Sequence, residues 1–421
     1  MAARKAAFEI LQKVFEDKAY SNIAVNAYFN RRPADDRDKA LAVNIVYGVL
    51  TNLFYLDYQI KSYSNIPLKK ISPSVLNILR ISLYQIRFLS RVPDSAAVNE
   101  GVKLTKKVSY KSSGFVNAVL RASVRGGEKL PPKYNRLEYL SVLYSYPEWM
   151  IELWDRDLGC AECEKLLEAG NIIPPVTVRT NELKITPEKL AEMLGAEECE
   201  PRGALRLQKS GNIEQMPQFR EGLFTVQDAA AQMAVLELDP QEGEEILDMC
   251  AAPGGKTTHI SERMKDTGQV IAWDKYSQKI ALIEENAARL GITNIRAFEY
   301  DATVPNSELS QKFDRVLLDA PCSGLGIIRK KPDIKWLRKK EDIAPILSEQ
   351  KALLDAASMY VKKGGVLLYS TCTVNRAENE DMIDGFVSSH PEFAKCEEFI
   401  NLYPHKNNTD GFFICKLRRN I

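Results

Sequence analysis

The stretch Glu245–Lys256, E-I-L-D-M-C-A-A-P-G-G-K, decides how the second half of the chain folds. Its first residues form a short apolar run of strand length, and the small residues after it let the backbone turn sharply into the helical stretch that follows. Open α/β sheets bind ligands at the carboxyl ends of their strands, so a turn of this kind at that position is a candidate ligand loop. The loop contains neither G-x-G-x-x-G nor G-x-x-x-x-G-K-[ST]. Dinucleotide and P-loop nucleotide binding are therefore disfavoured, and recognition of an adenosyl group without a phosphate cradle fits better.

Downstream, the strand-like run Val270–Trp273 leads to Asp274, at about the distance where nucleotide-binding folds place an acid for ribose hydroxyls. Two further runs, Ile295–Glu299 and Phe313–Leu318, lead to Asp301 and Asp319. Three acids thus finish three consecutive strands on one rim. Apolar runs alternating with amphipathic helical stretches after Leu223 imply βαβ units on a mainly parallel, Rossmann-like sheet.

Two thiols end strands on the same rim. Cys322 lies in D-A-P-C-S-G-L-G, residues 319–326, and Cys372 in S-T-C-T-V, residues 370–374, each among Gly, Pro, Ser and Thr. A thiolate is a strong nucleophile, and a cysteine in such surroundings is a candidate for covalent catalysis. The residues alone do not say which of the two attacks. Cys199, Cys396 and Cys415 read as ordinary structural cysteines, and the pair Cys160 and Cys163 as helix cysteines without a metal, since no second CxxC and only 3 His accompany them. Beyond Cys322, the run I-I-R-K-K-P-D-I-K-W-L-R-K-K supplies Arg329, Lys330, Lys331, Lys335, Trp336, Arg338, Lys339 and Lys340 as candidate nucleic-acid contacts.

Toward the amino terminus the pattern is helical. Amphipathic stretches cover Ala2 to Phe15, Arg37 to Thr51, Phe54 to Lys61, Pro73 to Phe88, Ala96 to Val108 and Ser113 to Val124. Val75, Ile78, Leu79, Leu83 and Ile86 form one stripe at three- and four-residue steps. Between the halves, helical Pro147 to Ala169, the β-branched run Val176–Thr180 and helical Pro187 to Leu194 read as a small α+β connector. The expected organisation is a multidomain chain: an all-α domain over 1–130, the connector over 137–222 and an α/β domain over 223–421.

The bulk properties set limits. A chain of 421 residues exceeds one ordinary core. A net charge of +1 confines any nucleic-acid affinity to local patches. The start of the chain lacks a signal peptide's apolar region and no segment reaches membrane-spanning length, so a cytoplasmic protein with free thiols is expected, with no membrane and no metal, as a monomer.

The motifs CAAPGGKT from Cys250, DAPCSGLGIIRKKPDIKW from Asp319 to Trp336, STCTVNRAENE from Ser370 to Glu380 and DGFFICKL from Asp410 to Leu417 resemble the Nop/Sun family of RNA 5-methylcytosine methyltransferases. The helical part, with DRDKALAVNIVYGVLTN and SSGFVNAVLR, looks like the RNA-binding antitermination factor NusB, and the connector is similar to the family's small RNA-recognition-like extension. The resemblance implies S-adenosyl-L-methionine as cofactor, held by Cys250, Ala251, Ala252, Pro253, Gly254, Gly255, Lys256, Asp274, Asp301 and Asp319. It implies Cys372 as nucleophile and Cys322 in product release, while the chemistry of the site itself suggests Asp319 as the residue that holds the base by its N3 and N4 edge. A thiolate adding to C6 of cytosine makes C5 nucleophilic, which splits one hard step into easier ones. The NusB-like part points to small-subunit (16S) ribosomal RNA as partner. The same motifs serve transfer RNA and other RNAs, and an inactive RNA-binding regulator is the alternative of another class.

Overall fold

The computed structural model describes residues 2–208 and 211–420. It divides into a helical unit, running up to Ile172 and including Ile328–Arg338, and an α/β unit of Ile173–Ile327 with Lys339–Ile421.

In the helical unit, helices Ala2–Glu16, Asp36–Thr51, Leu53–Tyr63, Pro73–Phe88, Asp94–Val108 and Ser113–Gly126 match the periodic stretches. Pro73–Phe88 starts with Pro at its first turn, where no N–H is needed, and buries Val75, Ile78, Leu79 and Leu83. Full burial of such side chains stabilises by roughly 1.5–3 kcal/mol each. On the same helix Arg80 makes a forked pair with Asp57, 2.7 Å to each oxygen. Ser21–Arg31 is a further helix that periodicity did not disclose, because its sequence S-N-I-A-V-N-A-Y-F-N-R is nearly as polar on one face as the other. The helix expected over Pro147 to Ala169 is broken into Glu148–Leu158 and Cys160–Ala169 by Gly159, whose φ of +83° favours glycine. These two helices and Arg136–Tyr144 fall in the helical unit.

The α/β unit carries two sheets. The smaller is antiparallel, built from β1 (Val176–Thr180), β2 (Glu197–Cys199), β3 (Ala204–Leu207) and β4 (Phe224–Val226) in the order β2-β3-β1-β4, with helix Pro187–Leu194. Since β4 pairs with β1, this sheet runs past the expected connector end at 222.

The larger sheet contains β5 (Glu245–Asp248), β6 (Gln269–Asp274), β7 (Ile295–Glu299), β8 (Phe313–Asp319), β9 (Val361–Thr371), β10 (Phe393–Lys395), β11 (Ile400–Leu402) and β12 (Phe412–Arg419). Strands β7-β6-β5-β8-β9 are parallel, and β12, β10 and β11 extend the sheet antiparallel beyond β9. Successive residues serve opposite faces. Leu247, Val316, Leu318, Leu367 and Tyr369 pack with helix Ile343–Tyr360, whereas Ile246, Leu317 and Leu368 pack with helices Ala229–Leu238 and Gly255–Arg263. Both faces are covered, which explains the near-continuous apolar runs. The chain leaves β5 toward β6 and β7, then returns to its other side for β8 and β9. The carboxyl ends of β5 and β8 therefore flank the topological switch point, where such sheets bind ligands.

Candidate active site

At the end of β5 the turn Cys250–Gly254 leads into helix Gly255–Arg263. Gly254 has φ +97°, and a Cβ there would stand 3.1 Å from the Ile283 Cα, so the turn depends on glycine for conformation and space. Thr257 donates to Asp248 Oδ2 at 2.7 Å from the first turn of the helix. Asp248 is 1% exposed, its Oδ1 lacks a hydrogen-bond partner, and burial, opposed by the Thr257 bond, pushes its carboxyl up to about 7. Burial and the carboxylates of Asp248, Asp319 and Asp274 push the Cys250 thiol up as well.

The strand-end acids surround this loop. Asp274 accepts from the Ala252 N–H at 3.3 Å and the Tyr276 N–H at 3.1 Å, which ties β6 to the loop after β5. Asp301 accepts from the Thr303 hydroxyl at 2.6 Å and pairs with Lys275 at 2.9 Å, interactions that hold its carboxyl below the usual range. Asp319 pairs with Lys256 at 2.7 Å through one oxygen and accepts from the Ser370 hydroxyl at 2.7 Å through the other. Burial works against the Lys256 charge, but the Asp319 carboxylate, helped by the Cys372 sulfur, more than offsets it and holds the ammonium above its ordinary value.

Cys322 and Cys372 come from the ends of adjacent parallel strands, and their sulfurs lie 3.2 Å apart. The hydrogen bond to Cys372, then burial, raise the Cys322 thiol well above its ordinary value. Behind the thiols, Gly326 donates to the Cys372 carbonyl at 3.0 Å, and Gly411 donates to the Gly326 carbonyl at 2.8 Å. A Cβ on Gly326 would fall 1.9 Å from the Gly411 oxygen, which gives the glycine of the closing motif a packing reason.

The sequence reading missed three residues here. Asp248 was seen only as part of a strand, although it is an acid at a strand end like the others. Arg179 of β1 is 2% exposed and donates to the Gly255 carbonyl at 2.7 Å, to Gln227, to Thr258 at 3.1 Å and to both Glu262 oxygens at 2.9 and 2.7 Å. It fastens the start of helix Gly255–Arg263 to the smaller sheet, a role no local pattern announces. Glu378 is buried beneath the two thiol loops.

The basic run needs correction. Lys335 is 1% exposed, and its ammonium donates to the Thr51 carbonyl at 3.1 Å, the Tyr144 carbonyl at 3.3 Å and Asn171 Oδ1 at 2.6 Å, above the Tyr146 ring. Burial holds that ammonium well below its ordinary pKa. Trp336 donates to the Leu50 carbonyl at 2.8 Å and stacks edgewise on Phe54. Asp333 accepts from the backbone and hydroxyl of Ser21. Lys335 and Trp336, expected to face RNA, are internal parts of the helical unit, because P-D-I-K-W folds as a short helix that uses the aliphatic stem and indole as core. Lys331, Lys339 and Lys340 are exposed, and Arg329, Lys330 and Arg338 are half-buried. Among the described residues no group of three or more His, Cys, Asp or Glu is arranged to hold a metal ion.

Three family matches tile the chain: the NusB family over residues 1–125, the RsmF/B-like ferredoxin-like domain over 146–214 and the 16S rRNA methyltransferase RsmB/F family over 235–418. The chain is 37% identical over 446 residues to the probable ribosomal RNA small subunit methyltransferase B of Bacillus subtilis strain 168, covering 99% of each. The crystal structure of PH0851 superposes with a TM-score of 0.84 at 27% identity, covering 99% of this chain and 98% of that one. NSun6 from Pyrococcus horikoshii, solved with SFG, gives 0.59 at 25% identity over 66% of this chain and 99% of that one. With a NusB-like helical domain, a ferredoxin-like connector and an α/β methyltransferase domain in this order, the chain belongs to the family of ribosomal RNA small subunit methyltransferase B.

Proposed function

We propose that this protein transfers a methyl group from S-adenosylmethionine to carbon 5 of a cytosine in small-subunit ribosomal RNA, with Cys372 as covalent nucleophile. The observation that carries the reading is the pair of sulfurs 3.2 Å apart at the carboxyl ends of β8 and β9, beside the Lys256–Asp319 pair. The family relationship supports ribosomal RNA as substrate and hence action in the cytoplasm.

The residues fit the cofactor. The Cys250–Lys256 turn allows close backbone approach, and Asp274 and Asp301 at neighbouring strand ends suit ribose and adenine-side hydrogen bonding. Gly254 and the unpartnered Asp248 oxygen mark a cradle shaped by glycine and acid rather than by phosphate-binding groups. When bound, the cofactor supplies an electrophilic methyl group on a sulfonium.

Cys372 adds as thiolate to C6 of the base, forming a carbon–sulfur bond and giving C5 the electron pair with which it accepts the methyl group. Asp319, held by Lys256 and Ser370, stands on the same rim to orient the base through its amino edge. Before attack the two thiols share a hydrogen bond, and that bond is the first cause that raises the Cys322 thiol. Once Cys372 has become a thioether, that hydrogen bond is weakened. Cys322 then becomes more acidic and can, as thiolate, take the C5 proton. The electrons of that C–H bond restore the ring double bond and expel the Cys372 sulfur, which completes the balance. Arg329, Lys330, Lys331, Arg338, Lys339 and Lys340 are the proposed phosphate contacts of the basic run.

Bisulfite sequencing of small-subunit ribosomal RNA from cells lacking the gene should reveal one cytosine that has lost protection. Wild-type protein should restore it and Cys372→Ala should not. An unchanged small-subunit pattern, with a lost site in transfer RNA instead, would overturn the substrate assignment.

A further inference from the structure

Beneath the two thiols lies a carboxyl group with an unusual set of partners. Glu378 is 0% exposed, in the short turn Arg376–Glu378 that follows the Cys372 loop. Its Oε2 accepts from the Ser323 backbone N–H at 2.8 Å and Gln350 Nε2 at 3.1 Å. Its Oε1 accepts from the Ser323 hydroxyl at 2.5 Å, Asn375 Nδ2 at 2.8 Å and, more distantly, the Thr373 hydroxyl at 3.5 Å. Ser323 directly follows Cys322, and Thr373 directly follows Cys372. The two hydroxyls are also 2.8 Å from each other, and Gln350 donates on to the carbonyl of Pro321, the residue before Cys322. The Glu378 carbonyl accepts from Tyr369, on the strand leading to Cys372.

Burying a carboxyl is expensive unless its oxygens are satisfied, and here both are, by donors drawn from both thiol loops and the helix behind them. A pair of apolar side chains would hold two loops together at lower cost. What a carboxyl adds is a fixed, hydrogen-bonded link of defined length and a negative charge beside a thiol. We propose that Glu378 is a positioning residue that sets the spacing of Cys322 and Cys372 and the surroundings of the Cys322 thiol. The charge of Glu378 is among the causes that raise the Cys322 thiol, after the Cys372 bond and burial. The catalytic consequence rests on the two-thiol mechanism above, whereas the spacing and the surroundings of the thiol do not.

The test is Glu378→Gln in the full-length protein. The amide keeps the length, but at either oxygen position its NH2 meets an N–H donor, from Ser323 and Gln350 on one side or Asn375 on the other. Alkylation of Cys322 by iodoacetamide, followed across pH by mass spectrometry without RNA or cofactor, should shift its midpoint downward by about one unit in the variant. Methyl transfer should fall in kcat by roughly 100-fold, the scale of an ångström-level misplacement, with KM for RNA near wild type. A Cys322 titration unmoved from wild type overturns the proposal whatever happens to kcat. Because that titration needs no substrate, it reads independently of whether Cys372 attacks a base. If Glu378→Gln fails to fold, Ser323→Ala removes only the hydroxyl shared between the loops. Bridging of the two thiols by dibromobimane, read as fluorescence, should then be slower than in wild type, and an unchanged rate overturns the proposal.

Discussion

Asp248 offers a prediction whose size follows directly from its surroundings. Its carboxyl is buried at the end of β5, accepts one hydrogen bond from Thr257, and is pushed up to about 7 from an ordinary 3.8. The folded protein therefore favours the protonated form. As pH rises from about 4, the unfolded chain ionises this group while the folded chain holds its proton, so stability falls until the folded group also ionises near pH 7. The difference between about 7 and 3.8 corresponds to about 4 kcal/mol, of which roughly 1–2 kcal/mol is already lost by about pH 5. Asp248→Asn cannot titrate. Its amide keeps an acceptor for Thr257 but brings an NH2 without an assured partner, at a pH-independent cost of about 1–3 kcal/mol. The predicted signature is thus a slope: the stability of the variant relative to wild type should improve by about 2–3 kcal/mol between about pH 5 and about pH 8. Urea unfolding of both proteins at a series of pH values measures it. A difference that stays constant across that range would refute the assignment of Asp248 as a buried, proton-retaining acid.

Asp274→Ala should weaken S-adenosylmethionine binding by roughly 1.5–3 kcal/mol, the range for a hydrogen bond to a charged acceptor, and unchanged affinity by calorimetry would remove it from the cofactor site. Lys335→Met should lower the melting temperature while leaving the salt dependence of RNA binding intact, since about 1–3 kcal/mol is lost per orphaned acceptor and only part is recovered by no longer burying a charge. Conversely, glutamine at Lys331, Lys339 and Lys340 should leave melting unchanged and flatten the salt slope by about 0.9 per lost phosphate contact; the reverse pattern would restore the sequence-based reading of Lys335. Gly326→Ala should cost about 1–3 kcal/mol of stability and depress methyl transfer, because its Cβ collides with the Gly411 carbonyl backbone; wild-type stability by calorimetric melting would show that the loops give way easily.

The parallel sheet was legible because β5, β6 and β8 are largely apolar and end in acids, whereas β7, at the sheet edge with Arg296, Phe298 and Glu299 exposed, was legible from its length and its acid end. The helical stripe of Pro73–Phe88 was legible for the same kind of reason. Helix Ser21–Arg31 was not, since its stability comes from packing of Ala24, Val25 and Phe29 rather than from amphipathic pattern. Short strands β2, β10 and β11 carry too few residues for alternation to show. At the site, residues in contiguous motifs were identifiable, while Arg179 and Glu378 act through partners 76 and 55 positions away, at Gly255 and Ser323, and spacing says nothing about such pairs. Lys335 failed in the opposite direction. A basic run is ordinarily a solvated or phosphate-facing surface, but here one ammonium finds three acceptors and an aromatic face inside the helical unit.

Covalent catalysis by Cys372 is the central claim, and trapping the adduct tests it most directly. If Cys322 takes the C5 proton after attachment, Cys322→Ala should stall with RNA bound. Incubated with S-adenosylmethionine and small-subunit ribosomal RNA, it should give a slow, denaturation-resistant protein–RNA band on a denaturing gel, absent from Cys372→Ala and from the double variant. An adduct in Cys372→Ala and none in Cys322→Ala would contradict the account and move the nucleophile to Cys322.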